Sequence, residues 1–191
     1  MHLSKLFKKA LYFAAEKHDG QYRKGGKTPY IVHPIQVAFG VRKYTKDEKI
    51  IIAALLHDTH EDCKNVSLSD LKKEFGESIA GLVKEISFVD NKKYSTWKKK
   101  KEVYLEKVKL VSKEALLIIA VDKLCNMQAY FGALEDKKEI KNLFGGTPRD
   151  YIWYYKSVGD ILELSTLKNH RITKDYFRKI KAISKIESIN K

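Results

Sequence analysis

The stretch that decides the fold is IIIAALLHDTHEDC, residues 50–63. An unbroken apolar run is followed at once by His57 and Asp58, and then by Glu61 and Asp62. A run this apolar predicts a helix that is buried on most of its sides. Ionisable side chains at the end of such a helix are unusual, because an unpaired charge away from water is costly. These four residues therefore mark the first candidate site.

The rest of the chain also predicts helices. Apolar residues recur with a helical period in residues 3–14. Pro34 suits the first turn of a helix running to about Tyr44, and Asp47 is a good cap for the apolar helix. The same period predicts further helices over residues 67–75, 78–88, 95–111, 115–130 and 150–164 and in the tail, with loops at 89–94 and 136–150. No segment alternates as a strand would, so the predicted fold class is all-α, a compact helical bundle.

Length and composition exclude several classes of protein. With 191 residues, 43% of them hydrophobic, the chain suits one domain with a real core. No apolar stretch reaches the roughly 18 residues of a membrane span, and the N-terminus is too polar for a signal peptide. Cys63 and Cys125 are too few for a disulfide framework, and free thiols favour a cytoplasmic location.

The net charge of +14 is concentrated in two segments, residues 92–113 and 166–191. A Lys-rich composition with solvated helix faces explains it, and recruitment of an anionic small molecule or partner is the alternative. The chain has no recognisable nucleic-acid module, so nucleic acid is not the expected partner. The apolar stripe of the tail leaves open whether it packs on the domain or on a second subunit, as in a homo-oligomer.

Two imidazoles and two carboxylates stand out as candidate metal ligands. His33 closes a Gly-rich loop just before a helix, His57 and Asp58 end the apolar run, and Asp122 lies inside the buried run LLIIAVDKL. Mixed nitrogen and oxygen ligands suit a divalent transition metal such as Mn, Fe or Zn. Without a thiolate, the set is unlike a structural zinc site.

The order His…His-Asp…Asp resembles the HD superfamily of metal-dependent phosphohydrolases. HDGQYRKGGKTPYIVHP at 18–34, ALLHDTHEDC at 54–63 and VDKLCNM at 121–127 look like the hydrolase domain of Rel/Spo-type alarmone enzymes. The resemblance covers roughly residues 4–165. It does not extend to the synthetase domain of the bifunctional enzymes, so the best match is a stand-alone small alarmone hydrolase. It implies an HD-type hydrolase domain over residues 1–165 with a basic amphipathic helical extension at 166–191.

The resemblance implies an activity and a cofactor. Family enzymes bind Mn²⁺, here through His33, His57, Asp58 and Asp122, and hydrolyse the 3′-pyrophosphate of ppGpp or pppGpp to GDP or GTP and pyrophosphate. The same metal site acting on ppApp, on the 2′-phosphate of NADPH, or on other nucleotides as a general HD phosphohydrolase is the alternative. A basic nucleic-acid-binding protein with an inert fold is a weaker alternative, since all four ligands are present.

Glu61 and Asp62 match the acidic pair that catalyses the family reaction. On a continuing helix Glu61 lies one turn from His57, and Asp62 one turn from Asp58, so both can face the metal. Such a carboxylate can position and deprotonate a water. The sequence leaves open which of the two is the base.

The resemblance also predicts residues that bind the nucleotide. Arg23 and Lys24 match those that hold the guanine base, and a guanidinium plane suits stacking. Asn126 matches a contact to the ribose or its phosphates. Tyr151, with Arg149 nearby, is the best match for a late tyrosine of the site, with core packing as the alternative. Lysines within Lys98–Lys101 are candidates for the 5′-phosphates, while His60 departs from the family pattern and is expected to be a bystander.

Overall fold

The structure is a computed structural model that describes residues 3–24, 26–89, 93–135 and 145–189. Within these ranges the secondary structure is helical, apart from one isolated antiparallel bridge between Tyr22 and Pro29. The helices are α1 (Lys5–Lys17), α2 (Val32–Val41), α3 (Glu48–Leu55), α4 (Thr59–Asp62), α5 (Leu68–Phe75), α6 (Glu77–Ile86), α7 (Trp97–Val108), α8 (Lys113–Glu135), α9 (Pro148–Leu164) and α10 (Arg171–Ile189). The predicted all-α fold class is confirmed.

Residues Met1–Asp90 form one compact unit, in which α3 is the central helix. It packs against α1, α2 and α6, and its residues from Ile50 to Leu55 are buried. Asp47 caps α3, since its carboxylate accepts a 2.8 Å hydrogen bond from the backbone N–H of Lys49. The sequence prediction of a capped helix buried on most of its sides is therefore confirmed.

The chain after α3 differs from the predicted continuous helix. Helix α3 ends at Leu55, residues 56–58 form a turn, and α4 begins at Thr59. Two side chains form hydrogen bonds with backbone carbonyl groups at this point. His57 Nδ1 lies 2.8 Å from the Ala54 carbonyl oxygen, and the Thr59 hydroxyl donates to the Leu56 carbonyl oxygen at 2.7 Å. These bonds compete with the i to i−4 ladder and stabilise the turn. The expectation of one helix through Asp62 is wrong for this reason.

Helices α5 and α6 pack against each other and follow the predicted pattern. Ser67 and Asp70 form a reciprocal capping box at the start of α5. Gly76 separates the two helices with φ of +87°, a backbone conformation that glycine adopts at little cost. Helix α6 then packs on α3.

Residues Asn91–Lys191 form a second compact unit. Its α9 contacts α7, α8 and α10, and α9 begins with Pro148 behind a capping box of Thr147 and Asp150. Gly146 lies flat against the Trp97 indole, where an added Cβ would come within 3.1 Å of the ring. Of the predicted loop at 136–150, residues 136–144 lie outside the described part, and its last three residues are helical instead.

The tail forms α10, which packs on α8 and α9. Its apolar stripe is buried within this unit at Ile172, Tyr176, Ile180 and Ile183. Of the two expectations for the tail, packing on its own domain accounts for these side chains. In the part of the chain that the structure describes, no helix is both long and apolar enough to cross a bilayer.

Candidate metal centre

His57 and Asp58 lie in the turn between α3 and α4, at the end of the most buried helix of the first unit. The carbonyl oxygen of Ala54 can only accept, so His57 donates from Nδ1 and its proton resides there. The other ring nitrogen, Nε2, lies 3.0 Å from Asp58 Oδ2. In the neutral ring with its proton on Nδ1, Nε2 is the nitrogen that can bind a metal. A hydrogen bond on the far nitrogen is the usual way in which a protein orients an imidazole ligand.

His33 reaches the same point from a different element. It lies in the first turn of α2, and its side chain is 3% exposed. Its Nε2 lies 3.7 Å from Asp58 Oδ2, and its ring meets the His57 ring edge-on with centroids 5.2 Å apart. Contact between α2 and α3 therefore brings together residues that are 24 positions apart in the sequence.

These three residues can hold a metal ion. One ligand atom from each of His33, His57 and Asp58 lies within 4.8 Å of the other two. Ligands bound to one transition-metal ion at about 2.0–2.2 Å lie only a few ångströms apart, so the cluster fits a single ion. Two imidazoles and a carboxylate suit divalent transition metals. This part of the predicted ligand set is therefore together in the fold.

The two acidic residues of α4 have different environments. Asp62 Oδ2 accepts a 3.1 Å hydrogen bond from the Tyr30 hydroxyl, whereas Glu61 Oε2 accepts a 2.8 Å bond from the backbone N–H of Phe88. Although Asp62 is partly exposed, burial of its carboxylate and the nearby charges of Asp58 and Glu61 raise its pKa to about 6. The backbone N–H of Asp62 donates to the backbone carbonyl oxygen of Asp58 at 2.8 Å, which keeps the two residues one turn apart.

Tyr30 is a residue of this site that the sequence analysis missed. Its hydroxyl donates to Asp58 Oδ2 at 2.8 Å as well as approaching Asp62. A signal was present, since Tyr30 lies in the quoted Gly-rich segment three residues before His33. A lone tyrosine beside a proline gave no reason to choose it, because its partners are distant in the sequence.

Arg23 and Lys24 lie in the loop between α1 and α2. The backbone N–H of Arg23 donates to the backbone carbonyl oxygen of Thr28 at 2.9 Å. The Arg23 guanidinium lies 5.6 Å from the centre of the Tyr30 ring. Lys24 is exposed. The predicted base-binding arginine thus contacts the tyrosine that reaches Asp58.

Asp122 and Asn126 lie on α8 in the second unit. The Asp122 carboxylate is buried and lies 2.5 Å from Lys123 Nζ, and the Asn126 amide donates to its other oxygen at 2.6 Å. Burial disfavours the ammonium form of Lys123, but the charge of Asp122, the nearby Tyr104 and Tyr154, and the hydrogen bond to Asp122 together hold the pKa of Lys123 well above its usual value. A buried carboxylate needs a partner for its charge, and Lys123 supplies one for Asp122.

Tyr151 lies in the aromatic core of the second unit. Its ring stacks on Tyr130 with centroids 5.3 Å apart and lies 4.7 Å from Trp97. Burial raises its pKa to about 12. Core packing, the alternative raised from the sequence, accounts for this position, and contact with a nucleotide stays a prediction.

The basic cluster of α7 is partly packed on aromatic rings. Lys98 Nζ lies 5.0 Å from the Trp153 ring centre, and Lys101 Nζ lies 5.0 Å from that of Tyr154. Arg149 lines a surface cavity of about 480 Å³ together with Trp153. Binding of 5′-phosphates by these cations stays a prediction.

His60, which departs from the family pattern, and Cys63 each have a partner in the structure. His60 Nδ1 lies 2.9 Å from the Val66 carbonyl oxygen and belongs to no metal-ligand cluster of the described residues. Cys63 is buried with its sulfur 3.5 Å from His18 Nδ1, and burial, followed by the Asp62 charge, raises the pKa of its thiol to about 11. A protonated thiol is a weak ligand, so Cys63 fits a packing role.

Comparison with known proteins finds the HD domain family over residues 10–144. The guanosine-3′,5′-bis(diphosphate) 3′-pyrophosphohydrolase of Aquifex aeolicus is 35% identical over 69% of this chain, which covers 18% of that protein. The enzyme of the same name, MESH1, of Drosophila melanogaster is 38% identical over 64% of this chain and 68% of its own length. This chain thus spans only about a fifth of the long bacterial relative.

A solved structure supports the same grouping. The structure of a metazoan orthologue of SpoT, described as hydrolysing ppGpp, superimposes with a TM-score of 0.74 at 30% identity. The match covers 94% of this chain and 96% of the other. Similarity over nearly the whole of both chains shows that the likeness extends beyond the motifs.

Proposed function

The chain belongs to the HD-domain family, and we propose that it hydrolyses the 3′-pyrophosphate of ppGpp and pppGpp, with Mn²⁺ as cofactor. The products are GDP or GTP and pyrophosphate. The observation that carries this proposal is the cluster of His33, His57 and Asp58, whose ligand atoms lie within 4.8 Å of one another. The names of the relatives supply the substrate class. The lack of a disulfide at Cys63 and Cys125 supports a cytoplasmic location.

The metal would be held by His33, His57 and Asp58, with Asp122 as the fourth ligand. Support for Asp122 comes from its motif and from its burial, and its Lys123 partner balances the charge in the metal-free protein. A divalent ion supplies Lewis-acid polarisation of a phosphoryl oxygen and lowers the pKa of water. Mn²⁺ in particular is inferred from the family resemblance.

The carboxylates of α4 supply the general base in this proposal. Asp62 is the better candidate, because its carboxylate shares the Tyr30 hydroxyl with the ligand Asp58. A base so placed would accept a proton from the attacking water. Glu61 is bonded to the Phe88 backbone and would anchor the turn instead.

Nucleotide recognition is assigned to four residues carried over from the family motifs. Arg23 would stack on the base, and Lys24, exposed beside it, would add charge. Asn126, bonded to Asp122, would contact the ribose or its phosphates, and Tyr151 would line the site. Stacking tolerates either purine, so the discrimination of guanine from adenine is left to experiment.

The test is an incubation of purified protein with ppGpp, ppApp or NADPH, each with Mn²⁺ and with a chelator. Chromatography would follow the nucleotide, phosphate and pyrophosphate, with Asp58→Ala as the inactive control. We expect GDP and pyrophosphate from ppGpp, dependent on Mn²⁺ and lost in the control. Turnover of ppApp or NADPH but not of ppGpp would support the metal site and contradict ppGpp as the substrate. Failure to bind Mn²⁺ would overturn the hydrolase assignment.

A further inference from the structure

The Tyr30 hydroxyl stands between two carboxylates with different expected roles. It lies 2.8 Å from Oδ2 of Asp58, a metal ligand, and 3.1 Å from Oδ2 of Asp62, the proposed base. Ionised carboxylates only accept hydrogen bonds, so the single phenolic proton is the donor that both can share. A shared donor also offsets the repulsion between two negative groups that would otherwise turn apart.

Tyr30 is itself held from several sides. Its backbone N–H donates to the Gln21 carbonyl at 2.8 Å, and its ring lies 5.0 Å from the His18 ring and 5.9 Å from the His33 ring. The Gln21 amide in turn donates to the Asp62 backbone carbonyl at 3.0 Å. The loop before α2 and the end of α4 are thus tied together at both the backbone and the hydroxyl. A group held this firmly can fix the orientation of its partners.

We propose that Tyr30 is a positioning residue that holds Asp58 in its metal-binding orientation and sets the distance from Asp58 to the carboxylate of Asp62. The catalytic half of this inference rests on the proposed function. Asp62 is partly exposed and, without the hydroxyl, is free to turn toward water. Asp58 loses one of the hydrogen bonds that orient it. Loss of an outer-shell partner of a metal ligand typically costs about 10–100-fold in metal affinity or activity.

Tyr30→Phe tests the inference, because it removes the hydroxyl and keeps the ring. Tyr12→Phe is the matched control, since Tyr12 is 74% exposed on α1. Calorimetric titration with Mn²⁺ in the absence of substrate should show about 10-fold weaker binding for Tyr30→Phe and no change for the control. Equal Mn²⁺ affinity of Tyr30→Phe and wild type would overturn the orientation of Asp58 by Tyr30. If the variant is less stable, the titration is run in the cold, below its melting transition.

The kinetic part separates positioning from nucleotide binding. At saturating Mn²⁺, Tyr30→Phe should lower kcat by about 10-fold and leave KM for ppGpp within about twofold. Under the same conditions, combining it with Asp62→Asn should cost no more than Asp62→Asn alone. A raised KM with unchanged kcat would assign Tyr30 to nucleotide binding through Arg23 and overturn the inference. If the kcat losses of Tyr30→Phe and Asp62→Asn simply add in the double variant, the inference is also overturned. Absence of ppGpp turnover by the wild type counts against the proposed function, while the Mn²⁺ titration still decides the role of Tyr30.

Discussion

The His57 ring donates from Nδ1 to the Ala54 carbonyl oxygen at 2.8 Å, one turn back in the same chain segment. This bond ends the helix and turns Nε2 toward Asp58. One hydrogen bond therefore both breaks the local secondary structure and orients a candidate metal ligand.

His57→Ala and His60→Ala form a matched pair, since both remove an imidazole bonded to a backbone carbonyl. Loss of an outer-shell partner of a metal ligand lowers metal affinity by up to about 100-fold. His57→Ala removes a proposed ligand itself, so the Mn²⁺ affinity should fall by more than this. His60→Ala should keep wild-type Mn²⁺ affinity and lose about 1 kcal/mol of stability. Calorimetry and thermal melting measure the two effects. A weakened Mn²⁺ site in His60→Ala would show that His60 is more than a bystander.

Mn²⁺ should stabilise the folded protein, because the unfolded chain does not bring His33, His57 and Asp58 together. At a free concentration about 100 times the dissociation constant, the free energy of unfolding should rise by about 2.7 kcal/mol. Thermal melting with a chelator, and again after adding Mn²⁺, measures the shift. Asp58→Ala is the control, and a similar shift in that variant would mean that the ion binds elsewhere.

Asp62→Asn should make the metal-free protein more stable at neutral pH. The pKa of Asp62 is raised to about 6 in the folded state, so its negative charge destabilises the fold once the pH is above that value. The variant lacks this charge, and its advantage should shrink as the pH falls through about 6 toward the unfolded pKa of about 3.9. Melting of both proteins with chelator across this range is the measurement. An advantage that grows on acidification would contradict the raised pKa.

Lys123→Met should destabilise the metal-free protein by about 3–5 kcal/mol, because it leaves the buried Asp122 charge without its counter-ion. The double change Asp122→Asn with Lys123→Met removes both charges and should recover most of this loss. Denaturant unfolding of the wild type, of Lys123→Met, of Asp122→Asn and of the double variant completes the cycle. Equal stability of Lys123→Met and the wild type would show that Asp122 has another counter-ion.

Much of the fold followed from the sequence, since helix formation is governed by local patterns. The apolar period located the helices, and the capping residue Asp47 marked where the buried one begins. The candidate ligands His33, His57 and Asp58 were also singled out from the sequence, and the fold brings them together. They are polar residues at apolar helix ends, where burial requires a chemical reason.

Only the tertiary structure decided the contacts between residues that are distant in the sequence. The break after Leu55 depends on side chains that bond to carbonyls, and a periodicity of apolar residues carries no information about that competition. The roles of Tyr30 and Lys123 were equally hidden, because a tyrosine or lysine becomes informative only when a particular carboxylate lies within hydrogen-bonding distance. The sequence by itself determined which polar groups are candidates for the site. Packing of α2 against α3 decided how they are oriented, since orientation is set by neighbours that the linear order does not place together.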